Sequence, residues 1–263
     1  MGVKKDPSGR RSVQVEVEVP GTPEEVWAAI ATGPGVSAWF VPTEIITGPD
    51  GQPAQVKMNF GPGMDSVATC TKWDPPREFA AESSWGPDQP PIATEWHVEA
   101  RSGGRCVVRV VHSLFASTDD WDNQLESTES GWPFFFKILR LYLQHFRGQA
   151  SAKMQGMAFS ADNLATAWAA LTEPLGLGGA IAGQRWSAPA GLPRLAGVVE
   201  DASDGSHPSV IVRLEEPSPG IATFGAFVCG GPTQVQLNVW LYGDGAGELA
   251  RRDEPAWQKW LAR

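Results

Sequence analysis

The chain has no surplus of positive charge: 21 Lys and Arg stand against 30 Asp and Glu, a formal net charge of −9. Nucleic-acid binding usually relies on a basic face that meets the phosphates, so this balance argues against that class of partner. The one basic cluster, Lys4, Lys5, Arg10 and Arg11, lies in a start containing Gly, Ser and Pro and reads as a flexible tail over residues 1–11. Long apolar runs are also missing. No stretch approaches the roughly 18 to 20 residues that span a bilayer. The start lacks the apolar middle of a signal peptide, so no membrane partner is expected and the expected location is the cytoplasm. Cysteine is scarce. Cys70, Cys106 and Cys229 are widely spaced and odd in number, which disfavours a disulfide framework. Cys70 and Cys106 sit in strand-like segments and read as small buried hydrophobes. Phosphate-binding glycine loops, a nucleophile elbow and Cys/His zinc spacing are absent. The acidic stretch Asp119, Asp120, Asp122, Glu126 and Glu129 lacks the glycine and spacing of a calcium loop and reads as a mobile rim. No catalytic residue, cofactor or metal is assigned on these grounds.

What is present is the material of a core. Hydrophobic residues make up 42% and charged residues 19% of 263, enough for one large domain or two of ordinary size. Val13, Val15, Val17 and Val19 alternate with Gln14, Glu16 and Glu18, the period of a half-buried antiparallel strand. Thr22-Pro23-Glu24-Glu25 then starts a helix, with Thr22 as N-cap, Pro23 at the first helical position and Glu25 completing a capping box. Val26, Trp27, Ile30 and Ala31 give it a buried stripe, Gly33, Pro34 and Gly35 stop it, and a short turn delivers Trp39 and Phe40. Short strand-like runs follow at 43–46, 55–60, 66–73, 78–85, 93–100 and 105–115, spaced as an antiparallel meander, with Ser102-Gly103-Gly104 as a hairpin connection. From Gly131-Trp132-Pro133 to about Phe146 the pattern is helical. Trp132, Phe135, Phe136, Leu139, Leu143 and Phe146 give that helix a broad apolar face, and the large surface available to cover it is the concave face of the preceding sheet.

A second copy of this plan begins near Gly148. Asn163 to Leu171 repeats the sense of Thr22 to Ile30, each with a capping residue five positions before a Trp and an Ala-Ala-aliphatic tail. Strand-like runs at 195–201, 209–215, 221–228 and 233–242 follow, and Trp257 and Trp260 mark a closing helix. The domains expected are 12–147 and a reduced second copy over 148–263. On the last strand Trp240 and Tyr242 share a face with Gln234, Gln236 and Asn238, which suggests packing on another surface, either the first domain or a second subunit in a homodimer.

Together Thr22-Pro23-Glu24-Glu25-Val26-Trp27, Trp39, Asp74-Pro75-Pro76-Arg77, His112-Ser113 with Phe115, and Gly131-Trp132 resemble the SRPBCC or START-like helix-grip superfamily, which includes Bet v-type, polyketide cyclase and Aha-type chaperone-ATPase activator domains. The branch most similar is the Aha-type activator C-terminal domain. The resemblance implies an α+β helix-grip fold, a curved antiparallel sheet wrapped around a long C-terminal helix, here duplicated. It also implies a cavity between sheet and helix that often holds an apolar small molecule. One reaction is not implied, because the fold hosts binders, enzymes and regulators alike.

Assigning strand faces by their apolar members points Val56, Met58 and Phe60, then Val67, Thr69, Thr71 and Trp73, then Phe79, Ala81 and Ser83 inward, together with Thr94, Trp96 and Val98, and Cys106, Val108, Val110, His112 and Leu114. This lining suits an apolar or aromatic ligand, with Trp39, Phe60, Thr71, Trp73, Trp96, His112, Trp132, Phe136 and Leu139 as the candidate binding residues; the same pattern also describes a filled core. His112 could orient a ligand carbonyl or act as a general base, or simply be hydrogen-bonded in the core. Glu95, His97 and Glu99 are read as solvent-facing and not as a metal site, on the argument that adjacent strand residues point apart. Asp74-Pro75-Pro76-Arg77 reads as a structural turn. The leading expectation is a non-catalytic binder or sensor of a small apolar molecule. The alternatives are a cyclase or hydratase using His112 with Thr69, Thr71 or Thr94, and a chaperone-ATPase activator acting through a surface.

Overall fold

The computed structural model describes residues 2–61, 63–84, 90–116, 119–228 and 231–263; Trp85, the expected end of one strand, and Cys229 lie outside them. The chain divides into two compact units, Met1–Gly148 and Gln149–Arg263.

In the first unit β1 (Lys4–Lys5) and β2 (Arg10–Pro20) lead to α1 (Pro23–Ala31) and α2 (Gly33–Ser37). The meander β3 (Thr43–Thr47), β4 (Pro53–Asn59), β5 (Asp65–Asp74), β6 (Glu78–Ser83), β7 (Ile92–Arg101) and β8 (Arg105–Phe115) follows, and α3 (Asp122–His145) closes the unit. The eight strands run in the order β1-β2-β8-β7-β6-β5-β4-β3. Since β2 pairs with β8 while β3 forms the far edge, α1 and α2 carry the chain across the sheet, which curls around α3. Each local signal has its physical counterpart. Thr22 accepts from the Glu25 amide and Glu25 accepts from the Thr22 amide, closing the capping box. Gly103 and Gly104 take the hairpin after β7 at φ of +75° and +68°, where only glycine is unstrained. Arg77 donates from its amide to the Asp74 carbonyl and pairs with the Asp74 carboxylate at 3.0 Å, so that segment is a turn.

Two expectations are corrected here. Residues 1–11 are not a loose tail: Lys4 and Lys5 pair with Ser12 and Arg11, and Arg11 is buried. Its guanidinium meets Asp122 at 2.7 Å and Asp119 at 2.6 Å, while Lys5 reaches the same carboxylates at 2.9 and 3.0 Å. Those two acids belong to the stretch read as a mobile rim, which is helical from Asp122 onward. Pro133 therefore stands inside α3 and not at its start. At that position proline removes one helix donor and its ring crowds the carbonyl of Glu129, one turn back.

The second unit repeats the connectivity. β9 (Ser151–Ser160) precedes α4 (Leu164–Thr172), then come β10 (Arg185–Ser187), β11 (Ala196–Ser203), β12 (Ser209–Glu216), β13 (Gly220–Val228), β14 (Thr233–Tyr242) and α5 (Ala246–Leu261). The order β10-β11-β12-β13-β14-β9 again pairs the first long strand with the last. Asn163 caps α4 as Thr22 caps α1. β9 escapes a sequence reading because its inward positions, Ala152, Met154, Gly156 and Ala158, are mostly small. Gly156 is small for a reason: a Cβ there would lie 2.4 Å from the Leu261 side chain of α5. The space between this sheet and its helices is filled by a core in which Phe224 meets Trp186 and Trp257 edge-on, with ring centroids 5.4 and 6.4 Å apart. Trp240 and Tyr242 are buried, and the Lys153 ammonium lies 5.4 Å from the Trp240 ring centre. Among the described residues, no helix is long and apolar enough to cross a membrane.

Candidate functional site

The first unit keeps an open space among its buried residues. A cavity of about 340 Å³ lies between the inner face of β3–β8 and the helices. That is at the small end of the ~300–1,000 Å³ typical of ligand pockets. Ile30 and Val36 border it from α1 and α2, with Trp39 and Phe40 just beyond. Met58, Phe79, Ala81 and Trp96 come from the sheet, and Trp132 and Phe135 from α3. The aromatic side chains brace one another. Phe40 stands edge-on to Phe135 at 4.7 Å and to Phe60 at 5.9 Å, and Trp96 meets Trp132 at 5.0 Å and 90°. Rings locked this way lose little freedom on meeting a ligand, which favours binding.

Of the nine residues expected to bind, Trp39, Phe60, Trp96, His112 and Trp132 reach the cavity. Phe136 and Leu139 are buried but do not reach its wall; Phe136 backs Trp96 and Trp132 at 6.2 and 5.4 Å. Trp73 packs against Trp27 and Phe79, both at 5.3 Å, and so supports the wall. Thr71 is exposed on the opposite side, with Val67 and Thr69. The cause is a register shift between Cys70 and Lys72, where the pairing moves from Cys70↔Ala81 to Lys72↔Ala80. The extra residue lets Trp73 share the inner face with Cys70, Ala68 and Ser66, so parity counted back from Trp73 fails. Ser66 and Ala68 are the wall residues which that reading missed.

The polar groups at the wall are few, and most are already engaged. Ser127 and Thr128 donate their hydroxyls to the Asn123 and Gln124 carbonyls of their own helix, at 2.8 and 2.9 Å. Trp39 donates its indole N–H to the Ala29 carbonyl at 2.9 Å, which fixes the ring at the end of the α1–α2 turn. His112 is buried at 8% exposure, and burial alone lowers its pKa to about 4. Both ring nitrogens are used: Trp132 donates Nε1–H to Nε2 at 2.6 Å, and Nδ1 lies 3.0 Å from the Thr94 hydroxyl. The His112 and Trp132 rings are within 18° of parallel, so the indole N–H meets the imidazole edge. Thr94 is the one threonine of the three considered that joins His112. A ring with both nitrogens engaged and a depressed pKa is poorly placed to take a substrate proton near neutral pH.

On the outer face, Glu78, Glu95 and His97 bring ligand atoms within 4.8 Å of one another. Adjacent strand residues such as Trp96 and His97 do point apart, but Glu95 and His97 are two residues apart and share a face, while Glu78 faces His97 across the β6–β7 pair. Lys72 lies 2.6 Å from Glu78, and Arg10 pairs with Glu95, so both carboxylates already have cationic partners. Cys106 is buried with its thiol on the Gly21 carbonyl at 3.3 Å, and burial pushes the Cys70 and Cys106 thiols up.

A curled antiparallel sheet gripping a long C-terminal helix around an aromatic cavity defines a helix-grip protein. Residues 10–132 match the family model described as polyketide cyclase / dehydrase and lipid transport, a model of the SRPBCC helix-grip clan. No curated protein matches the chain. Among solved structures, the di-domain ARO/CYC protein BexL from the BE-7585A biosynthetic pathway is 14% identical with a TM-score of 0.45, covering 95% of each chain. DynU16, a protein in the dynemicin biosynthetic locus, is 18% identical with a TM-score of 0.42, again over 95% of each chain. The Aha1 protein from Colwellia psychrerythraea, solved as a dimer, is 19% identical with a TM-score of 0.41 over 52% of this chain and 98% of its own.

Proposed function

We propose that the first unit binds one small, apolar, aromatic molecule between its sheet and α3. The observation that carries this reading is the cavity itself: about 340 Å³ left open among aromatic rings. Closely packed interiors leave few voids larger than a water molecule, so an apolar space of this size is a site and not a packing fault. Trp39, Phe60, Trp96 and Trp132 supply contact area, and Thr94 and His112 supply polarity on one wall. The family description, which spans cyclases, dehydrases and lipid transport, is compatible with this reading.

The test is a titration with N-phenyl-1-naphthylamine, a neutral fluorophore that brightens in apolar sites. One saturable site per chain is expected. Ala68→Phe, which projects a ring into the cavity from a wall position where the native side chain is half-buried, should abolish that signal without lowering the melting temperature. At a ligand concentration about 100 times Kd, the wild-type fold should gain roughly 2.7 kcal/mol. A signal that never saturates, or one equal in Ala68→Phe, would remove the basis of the proposal.

A further inference from the structure

We infer that the cavity selects molecules bearing a hydrogen-bond acceptor oxygen on an aromatic or apolar frame, and that the Thr94 hydroxyl is the donor that recognises it. This rests on the binding reading above and narrows it to a ligand class, an aromatic ketone or a similarly placed carbonyl.

Trp132 sets the direction of every hydrogen bond in the chain. An indole nitrogen can only donate, so the 2.6 Å contact makes His112 Nε2 an acceptor without a proton. A neutral imidazole with a bare Nε2 carries its proton on Nδ1. His112 Nδ1–H therefore donates to Thr94 Oγ1 across 3.0 Å. The hydroxyl, having accepted, keeps its own O–H for another partner. Thr94 lines the cavity, and among the described residues its hydroxyl makes no other hydrogen bond. Protonating His112 would set Nε2–H against the Trp132 N–H, so the direction of the chain holds as long as the imidazole is neutral.

The alternative polarity, Thr94 donating to His112, would leave the cavity no donor at this point. It is excluded by Trp132, which lies across the ring from Thr94. Among the described residues, the other wall hydroxyls Ser66 and Ser83 have no such partner to fix their direction. Thr94 is thus the specificity residue, and Trp132 and His112 are positioning residues that act through it.

The experiment measures 9-fluorenone and fluorene, which differ by one carbonyl oxygen, by displacement of N-phenyl-1-naphthylamine from the full chain. Comparing the ratio of their affinities between variants cancels their different hydration. Thr94→Val keeps the shape and removes the donor, and should lower the fluorenone-to-fluorene ratio about fivefold while leaving fluorene bound. Trp132→Phe, with Thr94 intact, should lower the same ratio, because His112 is released from its tautomer. Ring-nitrogen NMR should show His112 protonated at Nδ1 in the wild type. An unchanged ratio in Thr94→Val, or an Nε2-protonated His112, would overturn the inference while the binding reading stands. If neither fluorene nor fluorenone displaces the naphthylamine the inference also falls, and if the naphthylamine itself fails to bind, so does the reading beneath it.

Discussion

His112 shows how much of a residue's chemistry is decided by its neighbours. Its ordinary pKa of 6.5 suits a general base, yet burial lowers it to about 4. The consequence for stability has a definite sign. An unfolded chain takes up a proton at this side chain near pH 6.5, whereas the fold does so only near pH 4, so the fold is progressively disfavoured as pH falls through that window and not below it. At ~1.4 kcal/mol for each unit between the two values, the wild type should lose about 2 kcal/mol from this group between pH 7 and pH 5. Urea unfolding of wild type and His112→Gln at both pH values checks this. The wild type should show a steeper loss than the variant, and equal losses would mean that His112 carries a proton in the folded chain well above pH 4. The strand pattern placed His112 on the inner face with Thr94 among three candidate threonine partners, but its Trp132 partner could not be read there. Trp132 is 20 positions away on another element, and only the packing of α3 against β8 brings the two rings edge to edge.

At the scale of the element, local chemistry is legible wherever it is self-contained. Capping at Thr22 and Asn163, the glycine hairpin after β7 and the alternating valines of β2 rest on interactions within a few residues, and their outcome follows from sequence. Failures occur where one element's limit is set by another. Helix α3 begins at Asp122, ten residues before the aromatic stripe opens at Trp132, and no side chain caps its start. The buried Arg11 on β2 and Lys5 on β1 hold Asp119 and Asp122 instead, and these contacts keep both carboxyls below the usual carboxylate range, with the Lys5 hydrogen bond the largest cause for each. Replacing Arg11 by Gln should therefore loosen the first turns of α3 before the rest of the unit. Amide hydrogen exchange should speed up over residues 122–131 and change least over 136–145. Uniform exchange across α3 would show that its start needs no such anchor. The bulge in β5 is a second case: one inserted residue reversed the faces of Val67, Thr69 and Thr71, and the hydrophobic alternation carries no mark of it.

For the whole molecule, the duplicated connectivity ends in two different interiors. Both units pair their first long strand with their last and close on a C-terminal helix, but Phe224, Trp186 and Trp257 pack into a buried cluster in the second, whereas the first holds an aromatic-walled cavity. A ligand should accordingly protect one unit. With N-phenyl-1-naphthylamine bound, slower hydrogen exchange is expected to concentrate in β4–β8 and α3, and protection centred on β11–β14 would place the site elsewhere. The sequence by itself determined the α+β class, the positions of most strands, the repeated helix start and the aromatic character of the inner face, because periodicity, caps and turns act over short separations. Only the tertiary structure decided that the inner space stays open, that Thr71 faces away and Ser66 and Ala68 face in, and that Trp132, His112 and Thr94 form one hydrogen-bonded chain. Whether a set of apolar side chains closes on itself depends on the curvature of the sheet and the depth at which α3 sits. Both are set by packing among residues far apart in sequence, which no local pattern records.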